Sequence, residues 1–198
     1  MSAARTGIAR RVAVPVTAVL ITAAAVLWHH LPVPTEIYAP FDVYGNLGSP
    51  VRGHALSVTA TRVRVAPKGK FALSQFTSEK ISATGLWFVV DATLSAIEDS
   101  ELPSADLVVG GNTYQVSLRS PARGFGIHVD PGLPQHGYWV FDVAPELIQP
   151  SITTPLQLRV WSNGEERLNS RLVINLEKPA PERVDIVAVK PYEVGPAG

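Results

Sequence analysis

The sequence contains no cysteine. Disulfides, thiolate metal ligands, cysteine nucleophiles and the lipidated cysteine of a bacterial lipoprotein are therefore excluded. Charge of one sign is not in excess either, because 17 Lys and Arg balance 17 Asp and Glu. Without a basic surplus no overall field attracts a polyanion, so we do not expect nucleic-acid binding. The chain also has no internal repeat.

Long apolar runs are scarce, and a single one stands near the N-terminus. Residues 12–28 (VAVPVTAVLITAAAVLW) are uncharged and follow Arg10 and Arg11. As a helix rising about 1.5 Å per residue, this run is roughly 25 Å long, which is just enough to cross a bilayer. The next basic residue is Arg52, so the positive-inside rule places residues 1–11 in the cytoplasm and the rest outside. The pattern predicts a single-pass transmembrane helix in the cell membrane, with an extracytoplasmic C-terminal domain.

A cleavable signal peptide is the alternative to this anchor. The alanines at 23–25 supply the small residues that a signal peptidase needs. The apolar run continues beyond them to Trp28 and exceeds the usual h-region of about 7–15 residues, which favours the anchor. Behind it, His29 and His30 suit the membrane interface better than a metal site. Both alternatives place the folded domain outside the cytoplasm.

Proline marks the next segment as a stalk. Pro32, Pro34 and Pro40 favour an extended, semi-rigid backbone over residues 29–44. Prolines and glycines, 17 and 15 in the whole chain, then separate short apolar runs, as in an all-β domain with many turns.

The clearest strand lies in residues 85–96. One of its faces is apolar at every second position, and the other turns polar from Asp91 onward. The apolar face carries Leu86, Phe88, Val90, Ala92, Leu94 and Ala96. A strand with one apolar face needs a second apolar layer to cover it. We therefore predict an all-β fold, an immunoglobulin-like β-sandwich of about seven strands over residues 45–178, followed by a Pro-rich tail over 179–198.

Weaker patterns predict the other elements. A strand over 54–66 changes phase, which predicts a bulge near Thr61 and Arg62. Residues 67–84 are interpreted as a polar connection. Residues 184–189 form an edge strand or a disordered tail, or they add to a partner's sheet. The remaining predicted elements are hairpin arms at 105–110 and 113–118, a loop at 121–137, a strand at 138–143, a helical turn at 145–148, and facing strands at 156–160 and 172–176.

Two segments carry a family resemblance. Residues 85–94 read GLWFVVDATL, and residues 131–134 read PGLP before GYWVFDV at 137–143. They are similar to the glycine-led "phe-val-val-val-asp" strand, and to the loop and "val-phe-asp-val-pro" strand, of a telokin-like, immunoglobulin-related domain family of unknown function. That family occurs on secreted and membrane-anchored proteins of Gram-positive, including actinobacterial, bacteria. The resemblance implies an extracytoplasmic β-sandwich used for binding or assembly, and it brings no catalytic residues.

The resemblance covers roughly residues 45–176. Where the family usually has Asn after its first motif strand, this chain has Ala96, Ile97, Glu98 and Asp99. The loop after that strand therefore departs from the family pattern, whereas the sheet does not.

Metal-ligand side chains cluster in the glycine-rich loop. His128, Asp130 and His136 are ligand types that suit zinc or copper, but their spacing matches no established metal motif. A solvated loop is the simpler interpretation, and we expect no metal and no cofactor.

Two carboxylates lie on outward positions of strong strands. If those strands are neighbours, Asp91 and Asp142 converge, and paired carboxylates do acid–base chemistry when their pKa values are pushed apart. Nothing in the sequence marks a cleft around them, and there is no nucleophile elbow or phosphate-binding glycine loop. We therefore do not expect an enzyme, and an envelope hydrolase or metalloenzyme stays the less favoured alternative.

Three apolar side chains fall on positions predicted to face outward. Trp87, Val89 and Trp161 form an interaction patch, or else the second sheet, the stalk or the tail covers them. The functional prediction is a membrane-anchored module that binds or scaffolds another envelope or membrane protein. A signal-cleaved, secreted binding protein of the same fold is the alternative.

Overall fold

The structure is a computed structural model that describes residues 4–30, 39–74, 77–148, 155–162 and 169–195. The chain divides into two compact units, Met1–Ala39 and Pro40–Gly198. The described part of the first unit contains one α-helix, α1, over Ala4–His30. No helix within the described residues is long and apolar enough to cross a membrane. The predicted transmembrane anchor over 12–28 is therefore not supported.

The second unit consists of β-strands with turn residues between them, as the composition predicts. Its described part has twelve strands and one 3-10 turn, Pro145–Leu147. The strands are β1 Phe41–Asn46, β2 Val51–Arg52, β3 Leu56–Ala72, β4 Ser78–Ala96, β5 Pro103–Val109, β6 Asn112–Gln115, β7 Gln135–Val143, β8 Leu156–Ser162, β9 Ser170–Asn175, β10 Glu182–Arg183, β11 Ile186–Val189 and β12 Glu193–Val194.

These strands form two sheets. Sheet A has five strands in the order β1-β9-β8-β5-β6. Sheet B has seven: the order β10-β3-β4-β7-β12, with β2 and β11 also paired to β3. The core lies between the sheets, where Phe88 and Leu94 of β4 are buried with Leu158 of β8. The predicted β-sandwich is confirmed, and the apolar face of residues 86–96 is the face that fills it.

The hairpin of β3 and β4 is longer than the sequence indicates. Residues 67–84, predicted to be a polar connection, are mostly strand, so that prediction is wrong. The pairing shifts register between Ala60 and Arg62, which confirms the predicted bulge, and again between Ala66 and Lys68. Proline at position 67 is tolerated at the second shift because a bulge does not need its missing N–H.

The distal half of this hairpin folds back over the outer face of sheet B. The indole Nε1 of Trp87 donates to the carbonyl of Ile81 at 3.0 Å, whereas six residues of straight strand span about 20 Å. The ring of Phe71 also meets the indole edge-to-face, at a centroid distance of 5.6 Å. The outer face therefore has a second small core of its own.

The two ends of the unit join its sheets. Part of the predicted stalk is strand β1, which pairs in parallel with β9. The predicted tail supplies β10 and β11, parallel to β3, and β12, antiparallel to β7. Residues 184–189 therefore include an edge strand of the chain's own sheet, and Val187 and Val189 are buried there.

Candidate binding cleft

A cleft of about 770 Å³ opens at the edge of the sandwich where β5 and β6 approach β7. One wall is formed by the start of β5, by β6 and by Trp161 of β8. The other is formed by β7 and by the loop 116–126, which connects toward it. Both walls mix apolar and polar side chains, as ligand-binding clefts do.

The cleft forms because the chain leaves sheet A after Gln115, before β6 reaches the start of β5. The predicted hairpin arm 113–118 stops pairing at Gln115, opposite Asp106. Two residues later, the N–H of Ser117 donates to the carbonyl of Val140 in sheet B at 2.8 Å. The chain thus crosses from one sheet to the other, and no described strand continues beside the first residues of β5 on that side.

The backbone of Ala105 points into this gap. The N–H of Gly110 donates to Pro155 on the β8 side at 2.9 Å, and backbone groups alternate in direction along a strand. The N–H and C=O of Val109, Leu107 and Ala105 therefore point toward β6. The last pair with β6 is Asp106 with Gln115, so β6 does not extend along Ser104 and Pro103.

Aromatic packing makes the β7 wall rigid. The rings of Phe125 and Trp139 lie 4.5 Å apart, and both side chains are buried. The loop is fixed to β7 because the N–H of Tyr138 donates to the carbonyl of Gly124 at 3.1 Å. A Cβ at position 124 would overlap the backbone carbonyl of Tyr138, which is why glycine stands there. Burial raises the pKa of the Tyr138 phenol, while a hydrogen bond with Ser120 opposes that rise.

Trp161 is the member of the predicted interaction patch that lies at the cleft. Its side chain is half-buried and lines the β5 wall. Its indole N–H is buried, with no hydrogen-bond partner in the part of the chain that the structure describes. A buried donor without an acceptor carries a desolvation cost.

Trp87 and Val89, the other two members of that patch, are not on the surface. Both are fully buried. The folded-back hairpin and β11 cover them, so the alternative in which the chain's own segments cover these positions is the one that the structure has. The sequence pattern placed both side chains on the correct face of β4. It did not predict that other segments of the chain cover this face.

The two candidate carboxylates do not converge. Strands β4 and β7 are neighbours, but Asp142 lies opposite Trp87 and Asp91 lies opposite Tyr138. Four residues of strand, about 13 Å, separate the two positions. The convergence considered for neighbouring strands therefore does not occur, although the strands are neighbours.

Each carboxylate instead has a separate set of donors. Arg64 holds Asp91 by two bonds, at 2.6 and 3.1 Å, and Arg62 adds one at 3.0 Å. Nη1 of Arg64 also donates to the carbonyl of Ala188 in β11 at 2.8 Å. Asp91 thus links the sandwich to the C-terminal strand that covers it.

Asp142 stabilises the irregular part of β4. It accepts the N–H groups of Thr84 and Gly85 at 3.0 and 2.8 Å. Arg119 pairs with it at 2.7 Å. Burial alone raises the pKa of this carboxyl, but the two N–H groups and Arg119 outweigh that effect and hold the pKa below its usual value.

The three candidate metal ligands do not form a site. His128 and Asp130 are exposed, and no group of three potential ligands occurs among the described residues. His136 bonds through Nδ1 to the Thr93 hydroxyl and through Nε2 to the carbonyl of Gly195, both at 2.9 Å. Because a carbonyl only accepts, Nε2 carries the proton. This histidine ties the chain end to β7.

Most of the cleft was not found by sequence reasoning. The sequence pattern predicted that the hairpin arm extends to residue 118. In the structure β6 ends at Gln115, and the residues after it cross to the other sheet. One available signal was the run of Ser117, Arg119 and Ser120 before Pro121, which is too polar for a strand that stays in a sheet.

No family model and no curated protein matches the chain. Solved β-sandwiches are similar to it at low identity. An uncharacterised β-sandwich protein from Clostridium difficile is 12% identical over 74% of this chain and 100% of that one, with a TM-score of 0.44. The secreted protein MPT63 from Mycobacterium tuberculosis is 20% identical over 68% of this chain and 98% of that one, with a TM-score of 0.45.

A conserved hypothetical protein from Bacillus anthracis is also similar to the chain at low identity. It is 19% identical over 63% of this chain and 93% of that one, with a TM-score of 0.41. Likenesses at this level carry no argument about activity, and the two-sheet architecture rests on the strands of the chain itself.

Proposed function

We propose that this protein is a non-enzymatic, extracytoplasmic module that binds another component of the cell envelope through the cleft. The observation that carries the proposal is the gap beside Ala105, where a strand edge opens between two walls of the sandwich. An extended segment of a partner that enters this gap pairs with the backbone at the start of β5, as in β-strand addition.

The rim of the cleft supports a protein partner. Leu118 is 99% exposed, and Val116 beside it is also exposed. Apolar side chains presented next to a concave site are typical of protein interaction surfaces. Trp161 adds a half-buried aromatic side chain to the β5 wall of the cleft.

The non-enzymatic part of the proposal is supported by how the candidate catalytic side chains are used. Asp91, Asp142 and His136 each take part in bonds that hold strands or termini together. General acid–base catalysis needs a group within hydrogen-bond reach of the substrate's proton, and these bonds direct the three side chains to groups of the chain itself instead.

Kinship with the telokin-like, immunoglobulin-related family is part of the same proposal. It is supported by the position of the two motif strands, which are neighbours in sheet B with Phe88 opposite Phe141. Their shared residues are thus core residues of one strand pair.

The proposed location rests on the N-terminal segment. Arg10 and Arg11 before the apolar run 12–28 are the charge pattern of an export signal. N-terminal sequencing of the mature protein then decides how it is held: a start near Val26 means cleavage and secretion, and an intact N-terminus means a retained membrane helix. Recovery of the protein only from the cytoplasm would overturn export.

Three forms of the full chain, each used as bait in solubilised cell envelopes, test the cleft. Mass spectrometry identifies the proteins that co-purify with each form. Wild type and Leu73→Asp, an exposed leucine outside the cleft lining, are expected to retain the same partner. Leu118→Asp is expected to lose it without a change in the unfolding temperature. Equal capture by all three forms would exclude the cleft.

A further inference from the structure

Strand β1 is the outer edge of sheet A. The N–H of Phe41 donates to Asn169 at 2.9 Å, and the N–H of Leu47 donates to Asn175 at 3.0 Å, both toward β9. Because backbone direction alternates along a strand, the N–H and C=O groups of Asp42, Tyr44 and Asn46 face away from the sheet. They form an open edge of three residues, and no described strand covers it.

This edge lacks the usual protection against pairing. It has no internal proline and no register shift along its six residues. Its one charge, Asp42, is bound by Arg171, with Nε 2.8 Å from Oδ1. The hydrogen bond and the charge of Arg171 hold the pKa of Asp42 low although burial opposes them. Tyr44 is 71% exposed.

The other described sheet ends are poorer edges. Strand β6 has four residues and β12 has two. The end of sheet B at β10 and β11 is likewise broken into short pieces of two and four residues. Among the described strands, β1 therefore offers the longest uninterrupted edge.

We propose that β1 pairs in antiparallel fashion with β1 of a second copy of this chain, around a two-fold axis at Tyr44. The two Tyr44 residues then lie opposite each other, and Asp42 of each copy lies opposite Asn46 of the other. All three edge-facing residues of each strand are paired. The two five-stranded sheets become one continuous sheet.

The neighbouring registers are poorer for identifiable reasons. An axis at Val43 places Pro40, which has no N–H, opposite Asn46. An axis at Asp42 brings the two carboxylates face to face, and like charges directly opposite are destabilising. An axis at Gly45 pairs Asp42 with Gly48, which lies in the turn after β1 with φ of 84°.

The Tyr44 register is also chemically complementary. Asp42 meets an uncharged amide, so no unpaired charge is brought into contact. The carbonyl of Asn46 already accepts the N–H of Ser49 at 3.1 Å, and its second lone pair remains for the partner strand. The tyrosine pair adds aromatic contact on the outer face of the joined sheet.

Disulfide trapping in the full chain tests the register. Because the chain has no native cysteine, a disulfide can form only between the introduced residues. Opposite residues of a hydrogen-bonded pair have Cα atoms about 5.5 Å apart, within the range of a disulfide. Tyr44→Cys is therefore expected to give a covalent dimer on mild oxidation. Asn46→Cys, the matched control on the same edge, places the two sulfurs four residues apart, about 13 Å, and is expected to remain uncrosslinked.

Sedimentation velocity on the full chain tests the association itself. Wild type is expected to show a concentration-dependent dimer, which Tyr44→Phe retains. Tyr44→Lys, which sets two ammonium groups against each other, is expected to raise the dissociation constant about tenfold or more. A wild type that stays monomeric, a dimer that Tyr44→Lys leaves unchanged, or equal trapping of both cysteine variants would each overturn the proposal.

Discussion

The carboxylate of Asp142 accepts the backbone N–H of Gly85 at 2.8 Å. This bond lies where β4 departs from its ladder, between the partners of Ala66 and Lys68. Arg119, which pairs with Asp142, also donates to the carbonyl of Ser82 at 3.2 Å. Asp142, a candidate acid on sequence grounds, thus stabilises the bend that folds the hairpin over sheet B.

Asp142→Asn is expected to lower the free energy of unfolding by about 1–3 kcal/mol, because at least one N–H of β4 loses its acceptor and Arg119 loses its charge partner. Urea titration measures this loss. Asp130→Asn, at an exposed loop carboxylate, is the matched control and should change little. Equal effects of the two variants would mean that Asp142 does not support the bend.

The stability that Asp142 supplies is expected to depend on pH. Its folded pKa lies below the usual value, so its contribution is fully present above the unfolded pKa of about 4 and is lost as pH falls through the folded pKa. The difference in unfolding free energy between wild type and Asp142→Asn should therefore shrink from pH 6 to pH 3. Urea titrations at both values check this, and a constant difference would contradict it.

Trp87→Ala is expected to cost about 3–5 kcal/mol of stability, because it empties a fully buried site in the outer core. Trp161→Ala removes a half-buried side chain and should cost less than about 2 kcal/mol. Thermal unfolding of the two variants gives the comparison. A similar loss for both would place Trp161 in the core rather than at the cleft.

Strand β11 is expected to act as a cover for that outer core. Val187→Asp buries an unpaired charge against Val89 and Val140, and should cost at least about 3 kcal/mol. Ile186→Asp, one residue away and exposed, should stay within about 1 kcal/mol. Unfolding titrations, with binding of a hydrophobic dye as the second readout, distinguish the two. Equal tolerance of both changes would show that β11 is dispensable.

Local pattern was enough to predict several elements. The period-two alternation at 86–96 predicted which face of β4 enters the core, and the phase change near Thr61 predicted its bulge. The glycines at 110 and 111 predicted a hairpin turn, and both have positive φ. These features depend on neighbouring residues in the chain, so the sequence reveals them directly.

The parts that failed depend on contacts between distant residues. Residues 68–72 and 78–82 have a polar composition, but they become strand because they pair with each other and with β11. The layer over Trp87 is formed by segments from both sides of it in sequence. Composition within a window carries no information about such long-range pairing.

The sequence by itself determined that the region after residue 44 is built from β-strands and that residues 86–96 carry an apolar face for the core, because side-chain alternation is a local property. The tertiary structure alone decided which outward positions are covered and which are open. Trp87 is buried because the hairpin bends at a bulge that Asp142 holds. Trp161 stays at a cleft because the chain crosses to the other sheet at Ser117. Strand β1 is an edge among the described strands because β9 pairs with one side of it and no described strand pairs with the other.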